Sequence, residues 1–450
     1  MGVLTKAPLV ARGHVGWSSR RQKRRHLPAA ISAPNFEKGP VNSDAIAPGS
    51  TNLKRSTQLS GRALLLAVVA LAMGGFGIGT TEFTIMGLLQ EGAADLGVSN
   101  ARMGLLISAY ALGVVVGAPI LTALGARVAR KTMVLWLMAF FTLANLSSLF
   151  AANYEWMLFS RFLAGLPHGA YFGIAAILAG TLVPASMRGR AIAWVMLGLS
   201  VANVLGVPVV TFLGQAFGWR WMFAVVGLVG ALTWIAIRLF VPFSPVHEGA
   251  SIRRELSALR SGQVWMAMLT GIVGFGGFFA VYSYISPILT DVTGLPIRAV
   301  PLVLGLYGIG MVVGSLIGGR LADWSVLGAI YVATSAMVIF MALFGVVATH
   351  LVPTLVLVFI LGGTGSLLVP ALQALLMDSA PHAQSLAASL NHSALNVANA
   401  LGAALGAAVI TAGLGYRAPA FLGAGLALLG LLLALATGIR AKRLAAAASR

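Results

Sequence analysis

The chain has 450 residues, of which 58% are apolar and only 9% are charged. Because a soluble globular protein carries roughly 25% charged residues, this composition cannot cover a water-facing surface and indicates a membrane protein. Cysteine is absent, which excludes disulfides, thiolate metal sites and cysteine nucleophiles. The sequence also lacks a phosphate-cradling lysine loop, zinc-ligand spacing and a nucleophile elbow, so we expect neither an enzyme nor a bound metal or cofactor.

The net charge of +19 is typical of nucleic-acid-binding proteins, but the positions of the charges argue against that class. Ten of the thirty Lys and Arg precede residue 61, and most of the others flank apolar runs. Such placement is typical of charges that set membrane topology. We therefore expect membrane lipid as a partner and no nucleic acid.

The segment 1–61 differs from the rest of the chain. It is polar, proline-rich and basic, with S-S-R-R-Q-K-R-R at 18–25. The Arg pair is typical of a twin-arginine export signal, but the apolar segment that such a signal needs does not follow it. We predict a disordered, basic cytoplasmic tail that touches anionic headgroups. The alternative is a misplaced translation start.

From residue 62 onward the chain is a series of apolar runs. A membrane-crossing helix needs about 20 apolar residues, and a run in lipid must be helical so that its backbone groups are paired. The sequence predicts twelve such helices, at 62–87, 103–124, 133–151, 156–182, 190–214, 220–241, 264–288, 299–321, 327–349, 353–376, 386–412 and 418–438.

The loops predict the orientation and the division of the chain. With a cytoplasmic amino terminus, ten Lys and Arg fall in inner loops and four in outer loops, so both termini are expected in the cytoplasm. The longest internal polar stretch lies at 242–263 and separates six helices from six. We predict two six-helix bundles at 62–241 and 264–438, a cytoplasmic linker at 242–263 and a cytoplasmic tail at 439–450.

Two repeated motifs show that the halves are duplicates. V-A-N-V-L-G at 201–206 returns as V-A-N-A-L-G at 397–402, and Y-A-L-G-V-V-V-G at 110–117 matches Y-G-I-G-M-V-V-G at 307–314. The offsets are 196 and 197 residues, which makes chance repetition a poor explanation. Six helices per half give the halves parallel orientation, as in transporters that rock two domains about a midplane site.

Several motifs in the corresponding helices resemble the major facilitator superfamily. They are G-T-T-E-F-T-I-M-G-L-L in the first helix, R-F-L-A-G-L-P-H-G-A-Y-F-G in the fourth and G-L-S-V-A-N-V-L-G-V-P-V-V-T-F-L-G in the fifth. The resemblance covers about 62–440 and is strongest to the twelve-helix drug:proton antiporters, especially the arabinose and chloramphenicol efflux-type permeases. It implies an all-α membrane protein with twelve transmembrane helices in two pseudo-symmetric six-helix bundles.

The loop after the second helix departs from the family pattern G-x-x-x-D-R-x-G-R-R. Thr122, Ala126 and Ala129 replace the two glycines and the aspartate. The residues expected to act in conformational change are Arg127, Arg130 and Lys131 of this loop, Asp323 of its second-half counterpart, and Gly206 and Pro208 of the fifth helix. Pro208 removes one backbone hydrogen bond and is expected to bend its helix, whereas Ala404 stands at the equivalent position of the other half.

Glu82 is the only acidic residue well inside an apparent span of the first half. An unpaired carboxylate there is costly, so it takes up a proton or finds a cation. Arg161 matches the family's R-x-x-x-G motif, and His168 follows it two turns later. We predict that these three residues couple transport to protons, with Arg161 alternately near and far from Glu82. The alternatives are residues that snorkel to water or only pack.

The residues expected to contact substrate are aromatic or carry an amide. They are Phe83, Tyr110, Tyr171, Asn203, Phe279, Tyr282, Gln373 and Asn399. Packing between helices is the alternative role for each of them.

Taken together, the sequence predicts a monomeric, proton-coupled exporter of a small organic compound or drug in a bacterial inner membrane. It would work by alternating access of its two halves. Sugar or polyol efflux is the alternative within transport, and a non-transporting sensor or scaffold on the same fold is the alternative from another class.

Overall fold

The computed structural model describes residue 59 and residues 61–125, 127–184, 187–243, 256–380 and 383–448, without the side chains of 188–190, 384–385 and 440–448. The predicted amino-terminal tail lies outside these residues except for Leu59 and Gly61, as does most of the predicted linker at 242–263. Within the described part of the chain, all regular structure is helical.

The described residues contain twelve helices long and apolar enough to cross a membrane. Each has an 18-residue window with mean hydropathy of at least 1.5, so lipid is the solvent that these helices fit. The helices are α1 (Gly61–Gly87), α2 (Asn100–Gly125), α3 (Arg130–Leu149), α4 (Tyr154–Thr181), α5 (Ala191–Phe217), α6 (Trp221–Phe240), α7 (Gly262–Tyr282), α8 (Ile297–Trp324), α9 (Val326–Val347), α10 (Leu351–Ser379), α11 (Leu386–Leu414) and α12 (Ala418–Ile439).

The twelve predicted spans agree with these helices in number and order, and the differences lie at their ends. The helix that contains α12 continues to Ala448, ten residues beyond the predicted end at 438. The seventh span is predicted to reach 288, but α7 ends at Tyr282 and is followed by the short helix Ile285–Pro287 and a π-helical turn at Ile288–Val292. The first helix is broken at the matching place, since α1 ends at Gly87 and a short helix follows at Leu89–Leu96.

The two halves use the same backbone contacts. A Cβ on Gly113 of α2 would overlap the carbonyl of Phe162 in α4, and a Cβ on Gly310 of α8 would overlap the carbonyl of Phe359 in α10. Both members of the second pair lie 197 residues after those of the first. Helices that approach this closely need a residue without a side chain at the contact. The fold is therefore two pseudo-symmetric six-helix bundles.

The bundles meet mainly along two helix pairs, α2 with α11 and α5 with α8, and α4 also contacts α11. Ser108 of α2 donates to the carbonyl of Ala400 at 3.1 Å, and a Cβ on Gly308 of α8 would overlap the backbone of Asn203. We call the end of the bundle where α1 ends and α2 begins the distal end, and the opposite end the proximal end.

Candidate functional site at the junction of the halves

Glu82 lies five residues before the end of α1 and is buried, with 5% of its surface exposed. The Nδ2 of Asn399, in α11 of the other half, lies 3.4 Å from its Oε1 and donates a hydrogen bond to it. Asn399 is fully buried, and its own Oδ1 has no hydrogen-bond partner. The carboxyl predicted to carry protons therefore sits at the junction of the two bundles.

Arg161 of α4 is fully buried and binds the residue that precedes Glu82. Its Nη1 donates to Thr81 Oγ1 at 2.9 Å and its Nη2 to the Thr81 carbonyl at 3.1 Å. Thr81 in turn donates to Asn145 Oδ1 of α3 at 2.7 Å. The guanidinium also lies over the ring of Tyr110, 4.4 Å from the ring centroid, a favourable place for a cation. These contacts hold the charge without a carboxylate partner.

Glu82 and Arg161 do not form an ion pair in this structure, and the predicted alternation of the distance between them stays a prediction. Among the described residues the ion pairs are Arg102–Glu155 and Arg220–Asp95, both at the distal end. Arg161 donates twice to Thr81 and lies over the Tyr110 ring, while its buried Nε has no hydrogen-bond partner in this structure.

His168 lies two turns after Arg161 in an aromatic cluster that spans the halves. Its Nδ1 is 3.1 Å from the Tyr110 hydroxyl, and its ring centroid is 5.8 Å from that of His392 in α11. His392 stacks on Phe172 of α4, with centroids 4.9 Å apart and planes inclined by 5°. The Arg161, Tyr110 and His168 side chains thus form a continuous buried series that ends against α11.

A second aromatic cluster contains three of the predicted substrate residues. Phe83 of α1 stacks on Phe279 of α7 at a centroid distance of 6.4 Å and contacts Tyr282 at 5.7 Å. Tyr282 stacks on Tyr307 of α8 at 4.3 Å. Phe83 follows Glu82 in α1, and Tyr282 lies close enough to the Glu82 carboxyl to interact with it electrostatically.

Three other predicted substrate residues make hydrogen bonds to protein groups outside this cluster. The Tyr171 hydroxyl donates to the Leu71 carbonyl at 2.7 Å, inside the α1–α4 packing. Gln373 accepts from Asn391 at 2.6 Å, and Asn203 donates to the Leu199 carbonyl of its own helix at 3.0 Å. The Oδ1 atoms of Asn203 and Asn391 are buried without a partner.

The predicted conformational residues lie in two places. Gly206 and Pro208 belong to the α5 segment that faces α1 and α8, where a Cβ on Gly206 would meet Phe76 and Thr80. At the proximal end, Lys131 Nζ donates to the Arg238 carbonyl in the last turn of α6 at 3.0 Å. Arg127 and Asp323 are exposed and Arg130 is partly buried.

Polar contacts join the halves at the distal end. Gln90, in the short helix Leu89–Leu96, donates to Thr290 Oγ1 at 3.0 Å and accepts from Ser286 at 3.1 Å. Gln215 of α5 donates both to Glu91 Oε1 at 3.2 Å and to the Ile297 carbonyl at 3.1 Å. Burial raises the pKa of Glu91, against the smaller opposing effect of its hydrogen bonds. The two halves are therefore hydrogen-bonded to each other at the distal end.

An apolar groove runs along the proximal halves of α1 and α5. Its volume is about 470 Å³, and it ends at Phe76, whose ring also lies against Gly206. The lining residues are Gly61, Leu64, Leu65, Val68, Val69, Ala72, Met73, Phe76, Trp194, Leu197, Gly198 and Val201.

Sequence reasoning missed two members of the site and left a third without a role. Thr81 stands in the quoted G-T-T-E-F motif beside Glu82, and Asn145 is the only amide of the third span. A lone amide in such a span is the signal that could have identified Asn145. His392 was visible as a polar residue near the eleventh helix, but its stacking on Phe172 depends on the arrangement of the halves.

Comparison with known proteins agrees with this architecture. The Major Facilitator Superfamily profile matches residues 71–348. The inner membrane transport protein YdhP of Escherichia coli is 40% identical, over 81% of this chain and 94% of that protein. A chloramphenicol resistance protein of Streptomyces lividans is 33% identical, over 78% of this chain and 88% of that protein.

A solved structure shows the same fold at low sequence identity. The xylose transporter XylE from E. coli superposes with a TM-score of 0.66 at 16% identity, over 83% of this chain and 97% of that one. The family match, the similarity to YdhP and the shared fold lead to one conclusion. The chain belongs to the Major Facilitator Superfamily and is a multi-pass membrane transporter rather than an enzyme.

Proposed function

We propose that this transporter exports a small organic compound in exchange for protons, by alternating access of its two halves. The observation that supports this most directly is the position of Glu82, buried between the halves and hydrogen-bonded to the opposite one through Asn399. A buried acid exchanges its proton only when water or a partner reaches it. An acid at the junction therefore changes its surroundings whenever the halves move.

The proposed orientation places the distal end outside and both termini in the cytoplasm of a bacterial inner membrane. It follows from the excess of Lys and Arg in the loops of the proximal end. With the distal contacts of Gln90 and Gln215 in place, the described state is closed to the outside. Export then requires these contacts to break once cargo is bound.

An apolar, aromatic-compatible cargo fits the lining of the junction. Phe83, Phe279 and Tyr282 form an aromatic cluster across the junction, and Tyr282 lies near the Glu82 carboxyl. Aromatic surfaces of this kind bind planar or hydrophobic molecules. The similarity to the chloramphenicol resistance protein of S. lividans supports a drug-like organic compound as cargo.

Sugar or polyol efflux is the second candidate. The buried Oδ1 atoms of Asn391, Asn396 and Asn399 have no hydrogen-bond partner, and unpaired buried acceptors are satisfied by a ligand with several hydroxyl groups. The hydroxyl-rich cargo would then contact α11 more than the aromatic cluster that contains Phe83.

A non-transporting sensor on the same fold is the candidate from another class. A sensor needs a bistable fold but does not need a proton-exchanging acid at its centre. Reconstituted protein that binds a compound but moves neither that compound nor protons would support the sensor.

The test uses proteoliposomes that contain the purified protein and a pH-sensitive dye. A panel of drugs, including chloramphenicol, and a panel of sugars and polyols are each applied, and proton movement and compound movement are recorded together. We expect a member of the drug panel to drive proton movement, and Glu82→Gln to abolish that movement while exchange of the compound between equal pools continues. Glu155→Gln, which changes an exposed acid at the distal surface, is the matched control. Proton movement that survives in Glu82→Gln would contradict the proposed coupling.

A further inference from the structure

The two asparagines of the repeated hexapeptide have different partners. Asn203 donates to the Leu199 carbonyl of its own helix, whereas Asn399 donates to the Glu82 carboxyl of the opposite half. Asn399 also keeps a buried, unpartnered Oδ1 beside that hydrogen bond. The sequence alone assigns both residues the same substrate role.

We propose that Asn399 is the positioning residue through which the second half of the transporter sets the proton affinity of Glu82. This inference rests on the proposed proton coupling. The Nδ2 of an asparagine can only donate and its Oδ1 can only accept. Donation to the carboxylate favours the ionised form of Glu82.

The arrangement of the helices explains why Asn399, and not Arg161, changes this affinity during transport. Glu82 lies on α1 and Arg161 on α4, both in the first half, and Arg161 is fixed to Thr81 of α1 by two hydrogen bonds. Rigid rocking of one half against the other leaves the Glu82–Arg161 distance unchanged. Asn399 lies on α11 in the second half, so the same motion makes or breaks its hydrogen bond to Glu82.

The consequence is a direct link between conformation and proton release. While the halves are in contact at this level, Asn399 stabilises the carboxylate and favours proton release. When they separate there, the carboxyl loses its donor and recaptures a proton. The other charged or titratable groups near Glu82 are Arg161 of α4, Tyr110 of α2 and Tyr282 of α7. Arg161 and Tyr110 move with Glu82, and the phenol of Tyr282 remains neutral over the pH range of transport.

The test measures Glu82 itself and needs no cargo. The C=O stretch of a protonated carboxyl is followed by difference infrared spectroscopy as the purified protein, in vesicles, is titrated with pH. The band that disappears in Glu82→Gln belongs to Glu82. Replacing Asn399 by Leu removes a hydrogen bond to a charged group, and we expect the titration midpoint to rise by roughly one pH unit, a tenfold gain in proton affinity.

Two variants serve as controls. Asn203→Leu changes the matching asparagine of the repeat, which does not bond to Glu82, and is expected to leave the midpoint within about 0.3 units of the parent, which is less than 0.5 kcal/mol. Asn399→Gln keeps an amide at the same position and is expected to recover part of the shift. If Asn399→Leu does not fold, Asn399→Ala gives the same measurement with a smaller side chain.

The outcomes separate the two proposals. A Glu82 band with the same midpoint in the parent, Asn399→Leu and Asn399→Ala overturns the role of Asn399 and leaves proton coupling intact. An equal shift in Asn203→Leu also overturns it, because the effect would then be a general loss of packing. The absence of any titrating band that depends on Glu82 contradicts proton coupling itself.

Discussion

The same hexapeptide occupies equivalent places in α5 and α11 but adopts different backbones. In α5, V-A-N-V-L-G forms a π-helical segment over Ala202–Gly206. In α11, V-A-N-A-L-G stays within a regular α-helix that continues to Val409. Two hexapeptides that differ only at Val204 and Ala400 therefore adopt different structures here, and neighbouring residues contribute to the difference.

Pro208 is the first difference between the two copies. Its nitrogen cannot donate to the Val204 carbonyl, and its ring would clash with that carbonyl in a regular helix. The chain relieves the clash with a π segment, in which the Val207 N–H bonds to the Ala202 carbonyl. Ala404 stands at the matching position in α11 and allows the ordinary helix to continue.

The residue across the junction is the second difference. Asn399 faces Glu82 of the first half. Displacing Glu82 by the repeat offset of 196 or 197 residues leads to Phe278 or Phe279, so the second half carries an aromatic residue at the position that corresponds to Glu82. A duplicated scaffold thus acquires its chemistry from single substitutions that break the symmetry.

The largest effect is expected when the proline is copied into the second half. Ala404→Pro places a ring against the Ala400 carbonyl in mid-helix, and a proline in a helix interior costs about 3 kcal/mol or more. We expect a large fall in the thermal unfolding temperature in detergent, followed by tryptophan fluorescence, together with loss of transport. Ala404→Ser keeps the N–H and is the control. An Ala404→Pro protein of unchanged stability would show that α11 can form a π segment just before residue 404 as readily as α5 does before Pro208.

The second-largest effect is expected at Gly308 of α8, where the π segment of α5 contacts the other half. A Cβ on Gly308 would overlap the Asn203 carbonyl, and overpacking of this kind costs about 1–3 kcal/mol. Gly308→Ala should therefore lower the unfolding temperature and slow transport. Gly305→Ala is the matched control, because its Cβ would lie 3.4 Å from the Pro208 ring, an ordinary contact. Equal effects of the two variants would contradict a specific contact at Asn203.

Replacing Pro208 should change the rate of transport more than the free energy of unfolding. Pro208→Ala restores a hydrogen bond but frees the unfolded chain, and these effects offset to within about 1 kcal/mol. We expect slower hydrogen exchange over residues 202–208 and a several-fold slower transport cycle, since the segment facing α8 becomes a regular helix. Unchanged exchange would mean that tertiary packing, rather than Pro208, imposes the π segment.

The smallest expected effect is a pH-dependent change in the distance between the two halves at the distal end. Burial raises the pKa of Glu91, so the closed distal end holds this proton more tightly than an open end that exposes the carboxyl to water. Acid therefore favours closure, and the preference fades as the pH rises through the Glu91 pKa. Spin labels on cysteines introduced at the exposed positions Ala94 and Arg298 should move apart at higher pH. A pH response that persists unchanged in Glu91→Gln would assign it to another group.

The sequence by itself determined the class, the count and order of the helices, and the duplication. Hydropathy over about 20 residues is a local property that lipid enforces directly, so twelve spans could be counted without any knowledge of packing. The repeat motifs place Gly113 and Gly310 at matching positions, and the structure shows that both approach a backbone carbonyl. Glu82 was found because an acid in such a span is costly wherever it lies.

Only the tertiary structure decided which buried polar side chains form hydrogen bonds with each other. The Glu82–Asn399 bond joins residues 317 positions apart, and no local pattern records which of two identical asparagines meets a carboxyl and which meets its own helix. Arg161 likewise found Thr81 instead of Glu82. Hydrogen bonds act over about 3 Å, so the rotation and crossing of each helix in the bundle, and not its composition, selects which polar groups meet.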